Sequence, residues 1–171
     1  VKTPKVNRLS RFVIKDGKLD ASSGLKLLDV PVQRAVCCHS SGSLAMSADG
    51  LLYLSTGDDT NPWKQDGYTP TDETKDQQHY DAQRSSSNTM DLRGKILRLK
   101  PTAKGYDIPA GNLFDGKNGR KEIYIMGVRN PFRLALDNKT NTLWWGETGP
   151  DAKKDQKDRG PMGYDEINHA T

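Results

Sequence analysis

Residues 44–56 read LAMSADGLLYLST, and this stretch predicts a β-hairpin. A short apolar segment runs into Asp49-Gly50, a dipeptide that favours the tight turns between paired strands, and a second apolar segment follows. Residues 134–148 read LALDNKTNTLWWGET and repeat this pattern 90 residues later, with Thr148-Gly149 in the place of Thr56-Gly57. Self-similarity at a fixed period is typical of repeat architectures, which include β-propellers.

The rest of the chain also predicts strands separated by turns. Residues 11–14, 95–99 and 122–126 are β-branched or alternate polar with apolar side chains, and no useful length of chain has helical periodicity. The predicted fold class is therefore all-β. A four-stranded propeller blade typically takes about 40–50 residues, and the long polar stretches of this chain would lengthen each blade. Together with the repeat at about 90 residues, this predicts about two four-stranded blades. Two blades leave open sheet edges and cannot close a ring.

Composition and charge argue against several classes of protein. The 171 residues include 26 Lys and Arg against 22 Asp and Glu, and the two signs are interleaved, as in residues 153–159. A nucleic-acid-binding protein more often clusters its basic residues on one face, so we expect no nucleic-acid partner. No run approaches the roughly 18–20 apolar residues of a membrane helix, so we expect no membrane span.

The two cysteines, Cys37 and Cys38, are adjacent in the sequence. They lack the C-x-x-C spacing of zinc and redox sites, and a bond between neighbouring cysteines requires strain. We therefore expect two small buried apolar residues at this position.

Two polar stretches interrupt the predicted strands. Residues 58–91 are rich in Asp, Thr, Gln and Ser, and residues 151–159 are shorter and highly charged. A structureless loop of about 34 residues is unusual in a compact domain unless it is functional or partly disordered. Long loops on one rim of a β scaffold are either solvated excursions or the place where a site is built.

Three clusters carry candidate chemistry. His39 precedes a glycine-containing turn and is either a general base or a structural histidine. Arg129-Asn130 offers a cation and an amide that suit an anionic or carbonyl-bearing ligand, although a solvated arginine is the alternative. Gly149-Pro150 can present carbonyl oxygens near carboxylates, as calcium prefers, or can form a plain turn.

The clusters together resemble a known family. The motifs His39-Ser40-Ser41-Gly42-Ser43-Leu44, Arg93-Gly94-Lys95-Ile96-Leu97-Arg98, Gly127-Val128-Arg129-Asn130-Pro131, Gly149-Pro150 and Asp165-Glu166-Ile167-Asn168 occur in that order. This arrangement, from about Arg8 to Asn168, resembles the glucose/sorbosone dehydrogenase family. The resemblance implies a six-bladed β-propeller that uses pyrroloquinoline quinone (PQQ) and calcium, acts on a sugar substrate and passes electrons to an external acceptor.

The resemblance also implies a role for each cluster. His39 would remove the proton of a sugar hydroxyl as hydride passes to the quinone, and Arg129 and Asn130 would lie against that quinone. The carbonyls of Gly149 and Pro150 would hold the calcium, and Glu166 matches a position that some members use for a further calcium. The chain differs from the family pattern at Cys38, where an Asp is common.

The resemblance extends to the parent protein. Residues 1–171 are expected to be a fragment of a single propeller domain with a long polar loop at about 58–91, inactive without the remaining blades, which carry other cofactor contacts. About a dozen extra residues separate Gly149-Pro150 from Asp165-Glu166. Family habit implies a periplasmic or secreted location. The alternative function is a non-catalytic propeller module that binds carbohydrate or a protein partner, and the Cys38 difference favours it.

Overall fold

A computed structural model describes residues 5–40 and 42–171, so Ser41 of the His39 motif and residues 1–4 lie outside it. The described residues are almost entirely strand, turn and loop, which confirms the all-β prediction. The strands are β1 (Val6–Lys15), β2 (Lys18–Pro31), β3 (Leu44–Met46), β4 (Leu52–Thr56), β5 (Lys95–Pro101), β6 (Tyr106–Asp107), β7 (Ile123–Met126), β8 (Pro131–Asp137), β9 (Thr142–Glu147) and β10 (Glu166–Ala170). Three short 3-10 helices, Trp63–Gln65, Gln78–Tyr80 and Ala82–Arg84, lie in the first polar loop. None of the helices in this described part is long and apolar enough to cross a membrane.

β5 is the central strand of the largest sheet. Ile96 pairs with Ser55 of β4 on one side and with Ile125 of β7 on the other, and both pairings are antiparallel. β3 continues the sheet beyond β4, and β6 pairs with the end of β5. Although β5 alternates polar and apolar residues, Lys95, Ile96 and Leu97 are all fully buried. The strand is therefore covered on both faces.

The two faces of β5 support separate apolar clusters. Leu97 and Leu99 pack with residues of β2 on one face, whereas Ile96 packs on the other. The first cluster contains Leu28, Val30, Leu92, Leu97, Leu99 and Ile123, and the second contains Tyr53, Ile96, Val128, Leu143 and Trp145. Successive side chains of a strand point to opposite faces, so one strand holds both clusters together.

The internal repeat corresponds to two hairpins that lie beside each other. β3–β4 and β8–β9 are both antiparallel pairs, and Leu44 pairs with Leu54 as Leu134 pairs with Trp145. The backbone N–H of Leu134 donates to Ser43 Oγ at 3.1 Å and joins the hairpins directly. β10 pairs with β9 and completes a three-stranded sheet. The three sheets remain separate, so the number of blades stays a prediction.

Three strands, β1, β2 and β10, depart from the sequence expectation. β1 extends well beyond residues 11–14, and β2, its antiparallel partner, was not predicted. The turn between them, Asp16-Gly17, has φ values of 50° and 74°, as the dipeptide indicates. The first half of β2 and the short β10 are mostly polar and lack the apolar alternation that marks a strand, whereas the second half of β2 carries Leu28 and Val30, which are buried in the core.

The polar loop at 58–91 is anchored to the sheet rather than structureless. Its first residues, 58–62, are buried. Near its far end, the ammonium group of Lys95 donates to the carbonyl oxygens of Ser85, Ser86 and Arg93 at 2.7, 2.9 and 2.9 Å. Burial lowers the pKa of Lys95 to about 8. The loop is thus attached to the sheet near both of its ends.

We expect Leu97→Ala to lower the free energy of unfolding by about 2–5 kcal/mol, because Leu97 is fully buried and its truncation leaves a cavity. Leu113→Ala is the matched control, since 53% of Leu113 is exposed, and it should cost less than about 1 kcal/mol. Urea denaturation of both variants measures the difference. Equal losses would show that β5 is not the centre of the core.

Candidate functional site

His39 and Asp58 form a buried pair. The Nδ1 atom of His39 lies 2.8 Å from Oδ1 of Asp58, and the two residues are 8% and 1% exposed. The same carboxylate oxygen accepts hydrogen bonds from the backbone N–H and hydroxyl of Thr60 at 2.9 and 2.8 Å. Because a carboxylate only accepts, Nδ1 of His39 carries the proton and Nε2 is left as the basic nitrogen.

The backbone around Gly57 brings His39 to the Arg129-Asn130 segment. A Cβ atom on Gly57 would lie 2.0 Å from the carbonyl oxygen of His39 and 2.8 Å from Oδ1 of Asn130, so only glycine fits there. The next residue, Asp58, donates its backbone N–H to the carbonyl of Arg129 at 2.8 Å. Two of the three sequence clusters therefore meet where β4 ends.

Glu147, at the end of β9, fixes the backbone of Arg129 and Asn130. Its Oε1 atom accepts both of their backbone N–H groups, at 2.8 and 2.7 Å. Its Oε2 atom is buried and has no hydrogen-bond partner within the described part of the chain. Burial raises the pKa of Glu147, and burial also lowers the pKa of Arg129 beside it.

The Arg129 guanidinium is only partly paired. Its Nη1 donates to the carbonyl of Thr148 at 2.9 Å, and its Nη2 lies 3.8 Å from Oδ2 of Asp151. Nε and Nη2 are buried without a hydrogen-bond partner among the residues described. A buried cation with unused donors suits an anionic or carbonyl-bearing ligand.

A cavity of about 250 Å³ joins most of the predicted residues. It is lined by Asp58, Thr69, Ala82, Ser86, Gly127, Val128, Arg129, Glu147, Thr148, Gly149, Pro150, Tyr164 and Glu166. Arg129, Gly149, Pro150 and Glu166 thus share one cavity. His39 and Asn130 do not line the cavity themselves, but each is hydrogen-bonded to a residue that does, His39 to Asp58 and Asn130 to Glu147.

Gly149 and Pro150 are packed tightly against the chain that precedes β10. A Cβ on Gly163 would lie 1.5 Å from the carbonyl oxygen of Pro150, and one on Gly149 would lie 1.8 Å from that of Tyr164. Asp165 accepts the backbone N–H of Gly149 at 2.9 Å. The position of the Pro150 carbonyl is therefore fixed by backbone contacts.

The oxygen atoms at this cavity have the chemistry of a hard-cation site. Backbone oxygens of Gly149 and Pro150, the unpaired Oε2 of Glu147 and the exposed carboxylate of Glu166 are all oxygen donors, which calcium prefers. Carboxylate, histidine and cysteine side chains alone do not make a metal site, since no group of three or more is suitably placed in the described ranges. A cation here would depend on backbone carbonyls.

Cys37 and Cys38 correct the sequence expectation. They are joined by a disulfide bond, and Cys37 is exposed rather than buried. The backbone N–H of Cys38 donates at 3.3 Å to the carbonyl of Thr60, the same residue that donates to the Asp58 carboxylate. The disulfide therefore lies directly before His39, and its cysteines are not free apolar side chains.

Two residues of the candidate site are not predicted from the sequence. Asp58 and Glu147 lie outside the motifs that carry the family resemblance. Each acts through a partner far along the chain, at separations of 19 residues for His39 and 18 for Arg129. The available signal was that each acidic residue lies where a repeated strand ends, at Thr56-Gly57 and Thr148-Gly149.

Comparison with known proteins gives a consistent result. The family model named Glucose / Sorbosone dehydrogenase matches residues 2–171. The chain is 30% identical over 132 residues to the aldose sugar dehydrogenase YliI of Escherichia coli K12, a match that covers 76% of the chain and 26% of that protein. It is 34% identical over 112 residues to the HIPL2 protein of Arabidopsis thaliana, covering 57% of the chain and 14% of that protein. The chain spans well under half the length of either relative.

Solved structures share the fold. A Thermus thermophilus oxidoreductase described as a glucose dehydrogenase superposes with a TM-score of 0.64 at 28% identity, covering 97% of this chain and 40% of that one. The soluble aldose sugar dehydrogenase of Escherichia coli, in its apo-form, has a TM-score of 0.64 at 20% identity, with 94% and 37% covered.

We expect Glu147→Gln to gain stability relative to the wild type as the pH rises from about 4 to about 7. A carboxyl whose pKa is raised by folding binds its proton more tightly in the folded state, so its ionised form costs stability at higher pH. The glutamine keeps an acceptor oxygen for the backbone N–H groups of Arg129 and Asn130.

Urea denaturation at several pH values measures this difference, and other titrating groups cancel because both proteins share them. Glu73→Gln, an exposed glutamate in the polar loop, is the control and should show no trend. A constant difference for Glu147→Gln would contradict the raised pKa.

Proposed function

The chain belongs to the glucose/sorbosone dehydrogenase family, and we propose that the protein containing it is a PQQ- and calcium-dependent sugar dehydrogenase that oxidises an aldose. The observation that carries this proposal is the buried His39–Asp58 pair beside a cavity. That cavity is lined by several oxygen donors and by Arg129, whose Nε and Nη2 have no hydrogen-bond partner among the described residues. A base, a cation and oxygen ligands are the groups that hydride removal from an alcohol requires.

We propose that residues 1–171 form about two four-stranded blades of a six-bladed propeller, and that the remaining blades complete the ring. The exposed apolar side chains on the strands support this, since Met46, Phe132 and Ile167 are 57%, 51% and 80% exposed. Large exposed apolar residues on sheets usually mark a surface that another part of the protein covers. In isolation the chain is expected to be inactive.

His39 acts as the general base in the proposed reaction. Asp58 accepts a hydrogen bond from Nδ1–H, which leaves Nε2 to take the proton of a sugar hydroxyl as hydride leaves the carbon that bears this hydroxyl. The buried carboxylate also stabilises the imidazolium that forms. Thr60 keeps the carboxylate in place by donating two hydrogen bonds to the same oxygen.

PQQ, when bound, supplies the hydride acceptor. Arg129 is the residue that suits it, because Nε and Nη2 are buried donors without partners in the described structure and a quinone gains negative charge on its oxygens during reduction. Asn130 lies next to it with Oδ1 buried and likewise unpaired among the described residues, and Glu147 fixes the backbone of both. The burial that lowers the pKa of Arg129 also strengthens its attraction for an anion.

Calcium would be held by the carbonyl oxygens of Gly149 and Pro150, with Glu166 as a further ligand position. Gly163 supports the proposal because a residue without a side chain leaves room for the Pro150 carbonyl oxygen. Glu147 adds a buried oxygen to the same cavity. The carboxylates offset the charge of Arg129, which would otherwise repel a cation.

A sugar substrate, an external electron acceptor and a periplasmic or secreted location complete the proposal. The disulfide between Cys37 and Cys38 supports the location, because disulfides persist mainly in oxidising compartments. Cys38 stands where family members often have an Asp, which favours the alternative of a non-catalytic module that binds carbohydrate or protein.

We expect His39→Ala in the full-length protein, loaded with PQQ and calcium, to lower the rate of dye reduction by at least about 100-fold. His79→Ala is the matched control, since His79 lies in the 3-10 helix Gln78–Tyr80 of the polar loop whereas His39 is the histidine paired with Asp58, and its rate should remain near that of the wild type. PQQ binding is measured in parallel by absorbance. Normal activity of His39→Ala would refute the assigned base, and a wild type inactive with every sugar would favour the non-catalytic alternative.

We expect Gly163→Ala to weaken calcium binding by about tenfold or more, a loss of ~1.4 kcal/mol of binding free energy, because the added methyl group must displace the Pro150 carbonyl. Gly146→Ala is the control, since no atom lies within 4 Å of the position that its added methyl group would take. Calorimetric titration with calcium compares the two variants. Unchanged affinity in a folded Gly163→Ala protein would exclude the Pro150 carbonyl as a ligand.

A further inference from the structure

The two polar stretches of the sequence are fastened to each other. We call residues 62–68 the Trp63 loop and residues 151–160 the Asp151 loop. The hydroxyl of Tyr68 donates to the carbonyl of Lys154 at 2.6 Å, and Nη2 of Arg159 donates to the carbonyl of Gln65 at 2.6 Å. The guanidinium of Arg159 also lies 4.9 Å from the centre of the Tyr68 ring. These contacts hold the two loops as one rim.

Close backbone packing reinforces this contact. A Cβ on Gly67 would lie 2.7 Å from the carbonyl carbon of Asp151, so the loops approach as closely as glycine allows. Gly67 has a φ of 86°, a conformation that favours glycine. The start of the Trp63 loop is fixed as well, because the backbone N–H of Trp63 donates to Oδ1 of Asn61 at 2.9 Å.

A cavity of about 350 Å³ opens between the two loops. It is lined by Trp63, Asp66, Gly67, Tyr68, Asp151, Lys153, Lys154 and Gln156. Its size is within the range of small-molecule sites, about 300–1,000 Å³. It shares no lining residue with the Arg129 cavity.

The side chains of this second cavity match a neutral polyhydroxylated ring. Trp63 is 67% exposed, so its broad apolar face is available for the C–H groups of a sugar. Carboxylates, ammonium groups and the amide of Gln156 surround it and can pair with hydroxyls. The lining carries two acidic and two basic residues, and Arg159 pairs with one of the acidic ones, Asp66, at 3.4 Å.

Asp151 connects this cavity to the candidate active site. Its side chain lines the second cavity, and its Oδ2 lies 3.8 Å from Nη2 of Arg129, which lines the first. Two adjoining units of one saccharide could therefore occupy neighbouring cavities.

We propose that the cavity between the Trp63 and Asp151 loops is a saccharide subsite that holds the unit next to the sugar being oxidised. The inference rests on the proposed sugar dehydrogenase function and extends it, because it makes an oligosaccharide the preferred substrate. Trp63 stacks on the neighbouring ring, and the polar residues around it bind that ring's hydroxyls. Trp63 sets substrate preference and takes no part in the chemical step.

The test compares glucose with a trisaccharide of glucose, maltotriose or cellotriose, on the full-length protein. Calorimetric titration without PQQ measures binding, and dye reduction by the loaded enzyme gives KM and kcat. We expect Trp63→Ala to weaken trisaccharide binding about tenfold and to raise its KM to match, with kcat and all glucose values unchanged. Trp63→Phe should restore most of the affinity. Glu73→Ala, an exposed change in the same polar stretch, is the control.

The outcomes separate the subsite from the function. Trisaccharide binding that is no tighter than glucose binding, or that is unaffected by Trp63→Ala, overturns the subsite. An equal loss for glucose and trisaccharide also overturns it, because that result indicates a general structural defect. Trp63-dependent trisaccharide binding by a protein that reduces no dye supports the subsite and refutes the proposed oxidation.

Discussion

The candidate site depends on the hydrogen bonds that the ammonium group of Lys95 makes. Lys95 is fully buried in the central strand, and its three hydrogen bonds hold the carbonyls where the polar loop returns to the sheet. One of these carbonyls, on Ser86, also accepts the backbone N–H of Gly127, and the Ser86 hydroxyl donates to the carbonyl of Val128. Arg129 is the next residue. A buried charge with good hydrogen-bond partners thus connects the loop, the core and Arg129.

The candidate site combines strand ends that the repeat places together. His39 precedes β3, Asp58 follows β4, Arg129 precedes β8 and Glu147 ends β9. Since β3–β4 and β8–β9 are equivalent hairpins lying side by side, equivalent ends of the two copies meet at one rim. Each hairpin supplies one acidic residue. Asp58 orients the His39 ring, and Glu147 fixes the backbone of Arg129.

The elements that the sequence predicts are those with a local signal. The Asp49-Gly50 turn and the apolar alternation predict the hairpins, and the family motifs predict His39, Arg129 and Gly149. The polar first half of β2 and the mostly polar β10 are strands because of their antiparallel partners, so their own residues do not indicate it. The roles of Asp58 and Glu147 depend on long-range pairing. The cysteine pair was misjudged because adjacency alone does not decide whether two thiols are bonded.

The contacts between the Trp63 and Asp151 loops have a consequence for how this protein can diversify. The bonds from Tyr68 to Lys154 and from Arg159 to Gln65 cross between segments about 90 residues apart in the chain. Neither loop can be exchanged for a relative's version without leaving the other loop's partners unsatisfied. Transplanting this rim onto another scaffold therefore requires moving both segments at once.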